Sequence, residues 1–238
     1  MLMKNGLIIN SISYQDKNKI IYILSEDCKD SLIVSNAKTI NKSNVNISQN
    51  LTLITYEKYG KNSLAKAKTL EALDYYFEVK NDIKKMAVAS YLLEIIYRFI
   101  NETSNIKLLY KMVISFLDNL KTRNDYSLLL LEFKIKMLYF LGINPSFNEC
   151  IFCGRKDNLI GLSLKIGGME CFLHKSEDNI GSEATKIIQH LYLDKDFSLR
   201  IDDDNAIKII NDYVETYYEN HFSEVLKSND LLKKLGII

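Results

Sequence analysis

Up to about residue 75, apolar and polar residues alternate over short runs. GLIINSISY, IIYILS, SLIVSNA and NLTLITYEKY are rich in β-branched and aromatic residues, and AKAKTLEAL adds a fifth segment of the same kind. Alternation puts one face of a strand in a core and the other in water. Asn, Asp, Ser and Lys fill the gaps, as tight turns require. Five short strands in so little chain predict a small, partly open barrel of the OB type, although an SH3-like barrel or a plain meander shares the pattern.

From about residue 78 the period becomes helical. Met86, Ala89, Leu93, Ile96 and Ile100 form one stripe, and Leu109, Met112, Val113, Phe116 and Leu120 form another. The next segment, SLLLLEFKIKMLYFL, is apolar almost all round, which predicts a central buried helix. Gly142 suits a left-handed cap at its end and Pro145 follows. Further on, Ser182 is the expected N-cap of EATKIIQHLYL. Asp202 to Asp204 precede the stripe Ala206, Ile209, Ile210, Tyr213, Val214, Tyr217. The expected fold class is therefore α+β. An OB-fold β-barrel over residues 1–76 precedes an α-helical domain over 77–238, which carries a zinc-finger-like element at 147–176.

That element rests on Cys150-x-x-Cys153, seventeen intervening residues, then Cys171-x-x-His174. Two half-sites on tight turns supply four tetrahedral donors with little backbone cost, the arrangement zinc prefers. Gly154, Gly167 and Gly168 supply turns beside them. Four protein ligands close the coordination sphere, so the zinc is expected to be structural, stapling an irregular loop of about thirty residues. A zinc-dependent nuclease or deaminase would need an open coordination position and ranks last.

Composition narrows the remaining classes. Of 238 residues, 47% are hydrophobic and 26% charged, which excludes a disordered chain. No apolar run reaches the roughly 18 residues of a membrane span, and the N-terminus lacks a signal-peptide pattern, so a cytoplasmic protein with no membrane partner is expected. The net charge of +1 conceals a gradient: residues 1–70 hold ten lysines against five acids, residues 176–238 seven basic against thirteen acidic side chains. Walker, Gly-x-Gly-x-x-Gly, Gly-x-Ser-x-Gly and His-Glu-x-x-His motifs are missing. His190 and His221 lie in helical patterns, and Cys28, beside Glu26 and Asp27, lacks the electropositive setting that would activate a thiol. The expectation is a protein that is not an enzyme. Lys38, Lys42, Lys58, Lys61, Lys66 and Lys68 crowd the second half of the barrel with Tyr56 and Tyr59 among them. Cations for phosphates and rings for bases make these eight the candidate DNA-binding residues.

Taken in order, these parts resemble the RecO family of bacterial recombination mediators. GLIINSISYQDKNKIIYILSED is similar to that family's first hairpin, and LIVSNAKTINKSN to its basic turn ending in Ser, here Lys38, Lys42 and Ser43. LLEFKIKMLYFLGINPSFNECIFCG joins the buried helix, the Leu-Gly-x-x-Pro stop and the first Cys pair, and GLSLKIGGMEC sets a Gly-Gly before the second. His174 stands where zinc-bearing relatives commonly carry Cys, and arginine is absent before Arg98. The resemblance implies binding of single- and double-stranded DNA and annealing of complementary strands in the cytoplasm, at the nucleoid. It also implies action with RecR to load RecA onto strands coated by single-stranded DNA-binding protein. That coating protein's acidic, Phe-ending tail would dock on the helical domain, with Lys111, Arg123, Lys134 or Lys136 as candidate cations. The alternative is a protein-interaction adaptor that binds no DNA and keeps a structural zinc site.

Overall fold

The computed structural model describes residues 3–39, 43–60, 64–100, 105–163, 165–201, 203–222 and 226–238. The five expected strands are present as β1 (Lys4–Tyr14), β2 (Asn18–Ser25), β3 (Lys29–Val34), β4 (Leu53–Tyr59) and β5 (Leu64–Asp74). They are arranged in the order β1-β2-β3-β5-β4, and β4 pairs back onto β1. The β3–β5 pair is parallel, and the short α1 (Ser43–Ile47) lies between β3 and β4. This is an OB-type barrel, closed rather than partly open. Closure follows from the length of β1: its eleven residues bend at a bulge between Ile8 and Asn10, so one strand pairs with both β2 and β4. Alternate residues fill the interior, among them Ile8, Ile21, Ile23, Leu32, Val34, Ile54 and Tyr56.

Three helices follow: α2 (Phe77–Lys80), α3 (Ile83–Phe99) and α4 (Ile106–Thr122). Asp82 starts α3 by accepting the N–H groups of Lys84 at 2.8 Å and Lys85 at 3.1 Å. At the other end the Lys29 ammonium donates to the carbonyls of Ile96, at 3.2 Å, and Ile100, which otherwise lack helical partners. The buried face of α3 is wider than its sequence stripe, taking in Val88, Tyr91, Leu92 and Ile95. The change from strand to helix falls between Asp74 and Phe77, but compact packing divides later. Because α3 packs on β1 and α4 on β2, the first compact unit is Met1–Thr122 with Ser228–Leu235. The second is Arg123–Lys227 with Gly236–Ile238.

The second unit is built on α5 (Tyr126–Phe140), whose residues from Leu128 to Leu138 are all buried. α6 (Gly181–Leu193) and α7 (Asp204–His221) pack against it. α5 stops where expected. Gly142 takes φ 72°, its N–H donates to Tyr139 O at 3.1 Å, and Ile143 N–H donates to Leu138 O at 3.0 Å, closing a Schellman turn. The cap of α6 differs from expectation: Ser182 is the second helical residue, because the chain turns at Gly181 (φ 81°) and Asn179 Oδ1 takes the Gly181 N–H at 2.9 Å. Asp203 caps α7 by accepting the Ala206 N–H at 3.0 Å, while Asp202 lies outside the described residues. The segment expected to be an irregular loop contains a sheet, β6 (Ser146–Cys150), β8 (Gly168–Cys171) and β7 (Leu159–Leu162), in that spatial order. The eight-residue α8 (Lys227–Lys234) ends the helices, and no described helix is long and apolar enough to cross a membrane.

Candidate metal centre and nucleic-acid face

Cys150 ends β6 and Cys171 ends β8, and these are neighbouring strands; Cys153 and His174 follow each on its own turn. The first turn is held by backbone bonds, Gly154 N–H to Cys150 O at 2.8 Å and Cys150 N–H to Arg155 O at 2.7 Å. Gly154 has φ 68°, a conformation that favours glycine. The second is a single 3-10 turn over Phe172–His174. The four donor atoms lie within 4.8 Å of one another. Cys153 and Cys171 Sγ are 3.9 Å apart, and His174 Nδ1 is 3.7 Å from Cys150 Sγ and 3.3 Å from Cys171 Sγ. Tetrahedral coordination with bonds of 2.0–2.3 Å requires edges of about 3.5–3.8 Å, so these residues fit one closed four-coordinate metal ion.

The electrostatics suit a thiolate site. Burial opposes ionisation of Cys150, but the N–H groups of Phe152, Cys153 and Cys171 outweigh it and bring the pKa down to about 6. At Cys153 the Arg155 N–H lowers the pKa, yet the adjoining Cys150 and Cys171 thiols prevail and raise it. A cation among the sulfurs favours their thiolate form, as a coordinating thiol gives up its proton to the metal. Cys150 and Cys171 are buried, whereas Cys153 and His174 are exposed. The residues between the ligands, Ile151, Phe152, Phe172 and Leu173, point outward and are exposed.

The barrel residues singled out by sequence divide into two groups. Tyr59, Lys66 and Lys68 share an exposed patch: Tyr59 pairs with Lys66 across β4 and β5, and Lys68 Nζ lies 5.9 Å from the Tyr59 ring centre. Glu57, which sequence reading passed over, pairs with Lys68 at 2.8 Å. Tyr56 and Lys58 instead turn to Asp30 on β3. Tyr56 is 1% exposed and donates to Asp30 Oδ2 at 2.7 Å, and Lys58 pairs with Asp30 Oδ1. Tyr56 is thus a core residue, not a stacking ring, because it continues the inward alternation begun at Ile54. Lys38 is half-buried with Nζ on Gln15 O at 2.7 Å; Lys42 and Lys61 lie outside the described residues.

The four cations suggested for an acidic tail also separate. Lys111 on α4 is exposed, and Leu108 one turn earlier is 54% exposed. Arg123, Lys134 and Lys136 are buried. Arg123 binds Asp125 and the Phe197 carbonyl, Lys134 pairs with Glu215, and Lys136 pairs with Glu132 at 3.0 Å and donates to Leu191 O. An apolar helix spaced its lysines as if for the surface, but α6 and α7 cover the face that carries them. Elsewhere, Cys28 has a cation after all, with Lys4 Nζ 3.9 Å away and itself paired with Asp27 at 3.2 Å. His190 is exposed on α6, and His221 Nδ1 lies 2.8 Å from Tyr217 O.

Comparison with known proteins identifies the family. The family model for the C-terminal part of recombination protein O covers residues 80–230. The DNA repair protein RecO of Bacillus cytotoxicus is 26% identical over 238 residues, spanning 97% of this chain and 96% of its own. Those of Bacillus cereus and Bacillus anthracis are each 25% identical with the same coverage. With a family model matched over more than half its length and relatives aligned end to end, the chain belongs to the RecO family.

Proposed function

We propose that this protein is a DNA repair and recombination mediator that binds DNA through its OB-type barrel and anneals complementary strands. The observation that carries the reading is the exposed Tyr59, Lys66 and Lys68 patch on a closed barrel, in a chain whose relatives are named DNA repair proteins. Phosphates meet the lysines and an unpaired base stacks on the tyrosine ring. Annealing involves no bond making or breaking in the strands, so no catalytic residue is required and the protein is not an enzyme. The family's partners come with the reading: RecR, and through it RecA loaded onto strands coated with single-stranded DNA-binding protein, in the cytoplasm at the nucleoid. For that coating protein's acidic tail, Lys111 with Leu108 on the outer face of α4 offers a cation beside apolar surface. The ion held by Cys150, Cys153, Cys171 and His174 is zinc, in a structural role, since four protein ligands leave no position for substrate.

Strand annealing of complementary oligonucleotides precoated with the cognate single-stranded DNA-binding protein, with and without its acidic tail, tests the function. Annealing that depends on the tail is the expected result. Neither annealing nor DNA binding by the folded, metal-loaded protein would overturn the reading and favour a protein-interaction adaptor.

A further inference from the structure

The two half-sites of the metal centre are tied down by different means. The first turn is closed by its own backbone, through the bonds of Cys150 to Arg155 and Gly154 to Cys150. The second is anchored by backbone only at its start, where Phe172 N–H donates to Asn158 O at 3.2 Å. Beyond His174 a side chain takes over. Glu170, the residue before Cys171 on β8, is fully buried, and its Oε2 accepts the Ser176 N–H at 3.2 Å and the Asn179 side-chain amide at 2.7 Å. Asn179 Nδ2 also donates at 3.1 Å to the carbonyl of Gly161, which faces Glu170 across β7 and β8. One carboxylate therefore closes a loop with ends at Glu170 and Ser176 whose interior contains both Cys171 and His174.

Burying a carboxylate is costly unless its oxygens are satisfied. Glu170 Oε1 has no hydrogen-bond partner, and no ion pair engages the carboxylate, among the described residues. Packing alone would be served better by an apolar residue in a strand whose four positions are all buried. We propose that Glu170 is a positioning residue of the metal centre: its carboxylate holds the Cys171–His174 half-site in register with the Cys150–Cys153 pair. The proposal rests on the metal-centre reading. Released from Glu170, the chain after His174 loses its tie to β8 at Ser176 and is next held at Asp178 and Ile180, which bond to Ser163 and Leu162 at 3.0 Å each, so the imidazole is held less firmly toward the three sulfurs. Loss of a group hydrogen-bonded directly to a ligand weakens metal binding by about 10- to 100-fold, which sets the scale for a residue that acts on the ligand turn through its backbone.

The test uses the full chain loaded with cobalt(II), which reports ligand number and type through its thiolate charge-transfer and ligand-field bands, with affinity taken from chelator competition. Glu170→Ala should bind cobalt about 10- to 100-fold more weakly, with ligand-field bands displaced from those of the wild type. Glu170→Gln, whose amide oxygen can accept the same two bonds, should recover affinity to within a few-fold and restore the spectrum. Asn179→Ala removes one of the two donors and should shift affinity in the same direction by less, so it serves if Glu170→Ala does not fold. Wild-type affinity and spectrum in Glu170→Ala, or in Asn179→Ala where that variant stands in, would overturn the proposal, as would a Gln variant as weak as the Ala variant. A wild-type protein that takes up no cobalt would instead overturn the metal-centre reading, and the proposal with it.

Discussion

Tyr56 donates its phenolic hydrogen to Asp30 at 2.7 Å inside the barrel, and Lys58 reaches the other oxygen of the same carboxylate. Two residues that sequence assigns to a DNA-binding face are thereby committed to a polar cluster within the fold. Burial and the Asp30 charge both raise the Tyr56 pKa, so the ring stays neutral and keeps its proton for this bond. Replacing Tyr56 with Phe should cost about 1–2 kcal/mol of unfolding free energy, measured by urea denaturation, and leave DNA affinity unchanged. A fall in affinity at unchanged stability would return Tyr56 to the binding face.

The same cluster sets a response to acid. Burial raises the Asp30 pKa, but the Lys58 and Tyr56 hydrogen bonds and the Lys58 charge outweigh it, so the folded value lies below the ordinary 3.8. The folded state then binds fewer protons than the unfolded one, so this contribution is present above about pH 4 and is lost as pH falls through the folded value. Melting temperatures followed downward from pH 5 should drop less steeply in Asp30→Asn than in the wild type.

On the exposed patch, charge reversal at both Lys66 and Lys68 should weaken single-strand binding on all sequences alike. If each lysine meets a phosphate, the log–log salt slope should fall by about 0.7 per residue. Tyr59→Ala should cost on the order of 1–3 kcal/mol of binding with little change in that slope, because stacking releases no counterions. Affinity indifferent to all three substitutions would place the DNA elsewhere.

The lysines of the helical unit offer a contrast. Lys111→Glu should abolish binding of an acidic tail peptide in fluorescence anisotropy. Lys134→Met should leave that binding intact, since Lys134 is 1% exposed and paired with Glu215. Loss of peptide binding in a folded Lys134→Met protein would show that the interior pair opens to receive the tail.

Glu132 gives the opposite pH trend to Asp30. Burial pushes its pKa up to about 7, only partly offset by Lys136. A raised folded pKa means the folded state holds the proton longer, so stability is greatest below the ordinary value of 4.5 and declines as pH rises toward about 7. Glu132→Gln should flatten the melting-temperature profile between those values; an unaltered slope would assign the trend to other groups.

Much of this molecule could be read from residue order alone. The five strands, the three helical stripes, the Gly142 stop and the four metal donors all follow from local rules, because alternation, periodicity, capping and ligand spacing act over a few residues. Burial of α5 on every side was legible for the same reason: a segment apolar all round has no other place in a soluble fold. What sequence could not assign was the use of its polar groups. Lys134 and Lys136 have the composition of surface residues, and only the packing of α6 and α7 over α5 makes them interior ion pairs. Tyr56 and Tyr59 lie three residues apart on one strand, so alternation sends them to opposite faces, but only the closed barrel decides that Tyr56 is the one facing the core. Asp30, Glu57 and Glu170 carry no motif, since each acquires its role from a partner on another strand or beyond a turn. Local chemistry specified the elements and the ligand set. Which charges meet DNA and which hold the fold together was decided by contacts between distant segments, which only closing the barrel and packing the helices create.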